Sequence, residues 1–446
     1  MDGLRSRVLA ADRGAWVVAW LALGATACGP PSGIADYEGP EPFYEVHRPL
    51  SGRGCVGIAS RFADVTGDRR PELLVFATSL DPGGDPTALA ELHDATTGAV
   101  VARFTSPRPG KLQDCSANFV GDLDGDRRED VALIVDSAGG PRKSGDGVCV
   151  FSSRGGLLFE LKPESVGARF ASTAAAAGDV DGDGSNDVAL VERRARGVPS
   201  SWSNDVVFVS GRDGRRIDLR LPVGGLDVEI DELLSLDDVD GDGGIELAVR
   251  VRAVIPTAAY LETGADASPE VAAAVERARQ VPPLCVVSCS PPRVVWVLPA
   301  EPAAALESGA LGRTSDFDGD GIADLLLRTA YGGRVVSART GEALERLDVG
   351  GDRTVLGEVG DWDGDGVAEL LVQNNAMRSV GWDRTLYVWF QVVSRRGSTL
   401  LGEVGLGVPF VDAAVCEDLD GDGLADFVVE SGRSVRAFSR RDFVRP

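Results

Sequence analysis

Seven times the chain writes nearly the same nine residues: DVTGDRRPE from Asp64, DLDGDRRED from Asp122, DVDGDGSND from Asp179, DVDGDGGIE from Asp238, DFDGDGIAD from Asp316, DWDGDGVAE from Asp361 and DLDGDGLAD from Asp418. The first acids of successive copies lie 58, 57, 59, 78, 45 and 57 residues apart. A period in this range marks a stacked or circular array, whose units bury their apolar surface only against their neighbours.

Each copy runs into a short apolar stretch, as in LLVFA, VALIV, VALV and LAVRV. Runs of this length bounded by Gly and Asp read as buried strands. Most units continue with two more strand-like stretches joined by a polar turn, as in VCVFSSRGGLLFEL and VVFVSGRDGRRIDLRL. With the stretch before each acidic loop, that makes four strands per repeat. Four strands repeated seven times predict an all-β fold, a seven-bladed β-propeller over residues 43–446. A sandwich or a string of small β domains fits less well, because no linker-like break separates the units.

The two ends of the array complement each other. After the seventh loop the chain offers FVVE and SVRAFS and then only RRDFVRP, one strand short of a blade. FYEVHRP, ahead of the first loop, has no blade of its own, and the expectation is that it completes blade 7. The 78-residue interval points to a small helical insertion over about 255–292. Within it SPEVAAAVERARQ has an N-capping Ser268 and a proline at the first helical position, and Cys285 and Cys289 are candidates for a local disulfide.

Two carboxylates about 4 Å apart repel by roughly 1–4 kcal/mol, depending on screening, so loops this acidic call for a positive partner. Acids stand at position 1 (Asp64, Asp122, Asp179, Asp238, Asp316, Asp361, Asp418), at position 5 (Asp68, Asp126, Asp183, Asp242, Asp320, Asp365, Asp422) and at position 9 (Glu72, Asp130, Asp187, Glu246, Asp324, Glu369, Asp426). Position 3 is Thr66 in the first loop and Asp124, Asp181, Asp240, Asp318, Asp363 and Asp420 in the others. Oxygen ligands at alternate positions of a tight loop suit Ca²⁺, a hard cation that takes six to eight oxygens. An EF-hand starts the same way but requires a bidentate Glu at position 12. Here position 12 is Val75, Leu133, Leu190, Val249, Leu327, Val372 and Val429, all aliphatic. A nonapeptide calcium roll is excluded because its copies would follow one another every nine residues.

The pattern D-x-D-G-D-G-x-x-D, seven times at propeller spacing, resembles the FG-GAP or VCBS-type repeats shared with the integrin α-subunit propeller. The resemblance covers roughly residues 43–446. It implies that the side chains at positions 1, 3, 5 and 9, with a backbone carbonyl at position 7, bind Ca²⁺ within a hairpin of each blade, up to seven ions in all. The GAP tripeptide itself is absent. Thr66 and Arg69 depart from the pattern in the first loop and Arg127 in the second, so weaker binding is expected there, weakest in the first. These loops hold 27 of the 69 acidic residues. At millimolar calcium and dissociation constants of about 10⁻⁴–10⁻³ M, each site adds roughly 0.4–1.4 kcal/mol of stability by linkage.

The formal charge of −24, with no basic patch, argues against nucleic-acid binding. At the N-terminus Arg5, Arg7 and Arg13 precede the apolar run AWVVAWLALGATA, which is too short to span a bilayer. Residues 1–27 read as a signal peptide. ATAC resembles a bacterial lipoprotein box with Cys28 as the lipidated residue, although Ala25 stands where such boxes usually carry Leu. The same ATA also satisfies the ordinary small-x-small cleavage rule. Lipidation leaves an even set of six cysteines suited to an oxidising compartment, which favours the lipoprotein reading. Residues 28–42, rich in Pro and Gly, then form a tether.

No G-x-S-x-G elbow, H-E-x-x-H helix or phosphate-binding glycine loop occurs. The two histidines, His47 in the proposed latch strand and His93 near a turn, read as incidental surface or edge residues. The expectation is a non-enzymatic, exported scaffold at the bacterial outer membrane or cell surface, alternatively periplasmic or secreted. Its partner would be a protein or polysaccharide, and the membrane is met through the N-terminal lipid only. A structural envelope component, or a polysaccharide-acting hydrolase or lyase, are the alternatives.

Overall fold

In the computed structural model, the described residues are 44–47, 56–59, 62–79, 87–95, 97–107, 112–137, 147–164, 168–195, 202–221, 228–253, 282–299, 311–329, 332–349, 353–380, 383–395, 400–406, 412–430 and 434–442. The signal segment, Cys28, the tether and the stretch SPEVAAAVERARQ lie outside them. Among the described residues no helix is long and apolar enough to cross a membrane.

The fold is all-β: seven four-stranded antiparallel sheets, the blades of a β-propeller. Blade 1 comprises Val56–Ile58, Leu73–Ser79, Thr87–His93 and Val100–Thr105. Blade 2 comprises Leu112–Phe119, Val131–Ser137, Gly147–Phe151 and Leu157–Leu161. Blade 3 comprises Ala168–Gly178, Asp187–Ala195, Trp202–Val209 and Arg216–Ile217. Blade 4 comprises Val228–Ser235, Glu246–Ala253, Leu284–Cys289 and Pro292–Val297. Blade 5 comprises Leu311–Arg313, Leu325–Thr329, Gly332–Val336 and Ala343–Leu347. Blade 6 comprises Arg353–Gly360, Glu369–Val380, Asp383–Val393 and Leu400–Leu406. Blade 7 comprises Asp412–Cys416, Asp426–Glu430, Ser434–Phe438 and, from the other end of the described chain, Tyr44–His47.

That last strand is the expected latch. Tyr44 pairs with Ala437 and His47 with Ser434, antiparallel, so the ring is closed by backbone hydrogen bonds between segments almost 400 residues apart. Closure gives the seventh sheet the same four strands as the other six, with Tyr44–His47 as its last strand.

The apolar runs are continuous because a blade's second strand is buried on both faces. In blade 2, Leu133 packs with Phe104 of blade 1, while Ala132 and Ile134 pack with Val188 and Leu190 of blade 3. Seven such clusters occupy the seven inter-blade interfaces, the last joining Leu73 and Val75 of blade 1 to Val428 and Val435 of blade 7. First strands touch between blades 2 and 3, 3 and 4, 4 and 5, and 6 and 7, which places them innermost. Polar bonds link them there: Ser116 Oγ donates to Ser172 O at 2.8 Å, Leu233 N to Thr173 Oγ1 at 3.1 Å and Leu311 N to Glu232 Oε2 at 2.8 Å.

Two expectations need correction. Residues 284–289 and 292–297 are the third and fourth strands of blade 4, so any insertion ends before them and not at 292. Cys285 and Cys289 both lie in the third strand and are not bridged. Four residues of extended chain put their Cα atoms about 13 Å apart, roughly twice the reach of a disulfide. Burial instead pushes both thiols up to about 12.

Candidate metal centres in the seven acidic loops

Every acidic loop joins the first strand of its blade to the second. The curl is built by its own acids. The position-1 carboxylate accepts backbone N–H bonds from positions 4 and 6: in blade 6, Asp361 takes Gly364 N at 2.7 Å and Gly366 N at 2.8 Å, and also Asp365 N at 3.0 Å. The position-5 carboxylate accepts from position 7, as in Asp126 from Arg128 N at 3.0 Å and Asp242 from Gly244 N at 2.8 Å. The position-9 acid reaches back across the loop to position 2: Asp187 takes Val180 N at 2.7 Å and Asp426 takes Leu419 N at 2.7 Å.

Position 6 is left-handed throughout. Five loops use glycine there, with φ of 83–89°, whereas Arg69 (φ 72°) and Arg127 (φ 68°) adopt the same conformation with a side chain attached. A non-glycine residue pays about 1–2 kcal/mol for this region. The bond that Arg127 N makes to Asp122 Oδ2 at 2.7 Å holds it there.

The carboxylates do converge. Ligand oxygens of Asp361, Asp363, Asp365 and Glu369 all lie within 4.8 Å of one another. So do those of Asp64, Asp68 and Glu72, of Asp122, Asp124 and Asp130, of Asp179, Asp181 and Asp187, and of Asp238, Asp240 and Glu246. Asp126, Asp183 and Asp242, the fifth-position acids of blades 2, 3 and 4, stand outside their groups. The loops of blades 5 and 7 repeat the same curl: Asp316 accepts from Gly319 and Gly321 at 2.6 and 2.8 Å, and Asp418 from Gly421 and Gly423 at 2.5 and 2.7 Å. Asp320 accepts from Ile322, Asp422 from Leu424 and Asp324 from Phe317. Asp318 and Asp420 occupy position 3 of these two loops, and Asp420 N donates to Asp426 at 3.1 Å.

The closing acids differ in what their second oxygen finds. In blade 1, Thr66 Oγ1 donates to Glu72 Oε1 at 2.7 Å. In blades 2, 3 and 5 the second oxygen accepts a backbone N–H from the hairpin between the third and fourth strands: Ser153 N at 3.0 Å on Asp130, Gly211 N at 3.1 Å on Asp187, Ala338 N at 3.2 Å on Asp324. Glu246 Oε1, Glu369 Oε1 and Asp426 Oδ1, in blades 4, 6 and 7, are buried with no hydrogen-bond partner, and the residues are 0, 0 and 1% exposed. A buried carboxylate oxygen without a partner is expensive. It is also what a hard cation would use, and the all-oxygen donor set fits one.

Burial, the largest influence on each, raises all seven closing acids: Glu72, Asp187, Asp324 and Glu369 in direction, Asp130 to about 6, Glu246 to about 7 and Asp426 to about 8. Asp316 moves the other way because the Gly321 N–H stabilises its anion. The blade 5 loop thus pairs an acid kept ionised by backbone donors, Asp316, with a buried one, Asp324, that resists ionising until positive charge arrives.

Two features went unread in the sequence. A buried serine ends the third strand in six blades (Ser152, Ser210, Ser288, Ser337, Ser394, Ser439), and the hairpin beyond it sends an arginine onto the acidic loop in several of them. Arg154 reaches Asp126 at 2.8 Å, Arg215 reaches Asp181 at 3.1 Å, Arg339 reaches Asp320 at 3.2 Å and Arg441 reaches Asp420 at 3.4 Å. The spelling Ser-x-Arg was the available signal for Arg154, Arg339 and Arg441, in SSR, SAR and SRR, whereas Arg215 lies five residues beyond Ser210 and carried no such mark. The other feature is His93, which is 4% exposed and not an edge residue: Nε2 lies 3.1 Å from Glu91 Oε2, whose other oxygen meets Arg103 Nε at 3.0 Å.

No family model matches the chain, and no curated protein matches it. Among solved structures it is similar to Raptor from Chaetomium thermophilum, at 10% identity over 91% of this chain with a TM-score of 0.48. It spans 29% of the Raptor chain. It is also similar to a structure of BBS1N in complex with ARL6DN, soaked with lead, at 10% identity over 84% of this chain and 94% of that one, with a TM-score of 0.34.

Proposed function

We propose that this chain is a calcium-stabilised β-propeller that serves as a binding scaffold at the bacterial cell envelope, exported by its N-terminal segment and held there through a lipid on Cys28. Seven blades meeting only their neighbours offer broad faces for a protein or polysaccharide partner, and the resemblance to FG-GAP or VCBS-type repeats favours adhesion or interaction over catalysis. A propeller hosts many functions, so the fold by itself does not choose among them. The observation that carries the calcium reading is the set of buried carboxylate oxygens on Glu246, Glu369 and Asp426 that have no donor. Calcium would supply two positive charges to these oxygens and to the acids around them, which makes its role structural.

The test is thermal melting of the protein with 1 mM calcium and with EGTA, beside mass spectrometry of Cys28 in protein recovered from membranes. Calcium should raise the midpoint, magnesium should do so far less, and Cys28 should carry acyl chains. Identical melting with calcium and EGTA would remove the calcium reading, and an unmodified Cys28 would remove the anchor. The scaffold reading predicts partner capture that is lost in chelator.

A further inference from the structure

All seven loops share the curl, but their closing acids fall into two groups. In blades 2, 3 and 5 one oxygen of the closing acid is met by a backbone N–H of the hairpin beyond the third strand, at 3.0, 3.1 and 3.2 Å, and in blade 1 by the Thr66 hydroxyl at 2.7 Å. In blades 4, 6 and 7 the corresponding oxygen has no donor, although Glu246, Glu369 and Asp426 are 0, 0 and 1% exposed.

The division does not follow the spelling of the loops, since Glu closes blades 1, 4 and 6 and Asp closes the rest. Nor does it follow the arginines. Arg293 and Arg441 reach acids in one group, and Arg154, Arg215 and Arg339 reach acids in the other. What separates the groups is a protein donor to the closing acid. Each donorless oxygen belongs to a carboxyl set among the other acids of its loop. Glu246 converges with Asp238 and Asp240, and Glu369 with Asp361, Asp363 and Asp365. Asp426 accepts the N–H of Asp420 through its other oxygen and lies within reach of the charges on Asp420 and Asp422.

We propose that the loops of blades 4, 6 and 7 are the high-affinity calcium sites of the ring, and that in blades 1, 2, 3 and 5 a protein donor takes over part of the ion's role. This deepens the calcium reading of the loops and rests on it. In the first group an ion supplies a partner to a buried oxygen that otherwise has none, so binding relieves a desolvation cost as well as adding a ligand bond. In the second group that cost is already met. There the ion must share an oxygen whose charge an N–H or O–H has partly neutralised. Relief of one buried, unsatisfied carboxylate oxygen corresponds to about ten- to a hundredfold in affinity.

The experiment is calcium titration of the full chain by calorimetry in chelator-stripped buffer. Wild type should take up three equivalents tightly and any others about ten- to a hundredfold more weakly. Glu369→Gln should reduce the tight class to two, whereas Asp187→Asn should leave it at three. A second measurement needs no change to a closing acid. Trp362, at position 2 of the blade 6 loop, is 5% exposed and donates its N–H to Glu369, so its indole stands beside the site. Terbium, a hard ion that takes oxygen ligands as calcium does, should luminesce when Trp362 is excited, and the part of the signal lost in Trp362→Phe reports blade 6. That part should saturate within the first three equivalents. Uniform affinity across the loops, a tight class that loses a member in Asp187→Asn but not in Glu369→Gln, or a blade 6 signal that rises only after the third equivalent overturns the proposal and leaves the calcium reading standing. If wild type takes up neither ion, the calcium reading falls and this proposal with it.

Discussion

The loops of blades 1 and 6 have the same backbone curl and opposite ways of satisfying it. In blade 1 the Thr66 hydroxyl fills the gap left by a missing acid and satisfies the closing Glu72 from within the protein. In blade 6 four acids converge and Glu369 Oε1 is buried with no donor. The curl itself is built the same way in both, because the N–H bonds to Asp64 at 2.6 and 2.8 Å match those to Asp361 at 2.7 and 2.8 Å. What differs is the closing acid, and that is where calcium dependence should be concentrated.

The largest expected effect concerns the whole ring, since all seven closing acids are raised by burial. A raised acid keeps its proton in the folded state at a pH where the unfolded chain has released it. Below about pH 4 both states are protonated and the group is neutral to stability. As pH rises toward the folded value, the unfolded state is increasingly favoured. In EGTA the protein should thus lose stability most steeply just above pH 5, where the folded state alone keeps these protons, and the loss should level off as pH passes the values of about 7 and about 8 for Glu246 and Asp426. Calcium should flatten the slope by holding these groups ionised. Urea unfolding at pH 5.5, 7 and 8.5 with and without calcium measures this, and stability in EGTA that rises with pH would refute it.

Next in size is loss of the curl. Asp361→Ala leaves three backbone N–H groups without their acceptor and removes a ligand, and should cost about 2–3 kcal/mol in calcium. Asp64→Ala loses two such bonds and a ligand of the loop expected to bind most weakly, and should cost less, about 1–2 kcal/mol. Equal losses would erase the distinction between the two blades. A sharper form uses the closing acids: Glu369→Gln should reduce the calcium increment by about 0.4–1.4 kcal/mol, one site's worth, while Glu72→Gln leaves it unchanged.

Much of this was legible before any coordinates. The repeat period, the four strands per unit and the orphan segment FYEVHRP led to seven blades and to the Tyr44–His47 latch because backbone arithmetic is local: an array one strand short at one end and one strand over at the other closes in one way. The acids were legible for the same reason. Which oxygen each acid leaves unpartnered was not, because donors such as Ser153 N and Gly211 N come from hairpins more than twenty residues away. Cys285 and Cys289 misled because proximity in sequence was read as proximity in space, whereas an extended strand separates them. His93 does stand beside the turn that Asp94 opens, but it ends the buried third strand of blade 1 with Glu91 two residues before it on the same face, so it is not an incidental surface residue.

The smallest prediction isolates the backbone from the metal. Arg127 holds a left-handed φ of 68° that five other loops assign to glycine. Arg127→Gly relieves about 1–2 kcal/mol of conformational cost, but glycine also loosens the unfolded chain, which returns roughly 0.5–1 kcal/mol. The net gain should be about 0.5–1 kcal/mol, present equally in calcium and in EGTA, because the N–H of residue 127 still reaches Asp122. The same change at Arg69, whose φ is 72°, should give a similar gain. If Arg127→Gly stabilised the protein only in calcium, the strain would be coupled to the ion, and backbone and cation would no longer be separable contributions to these loops.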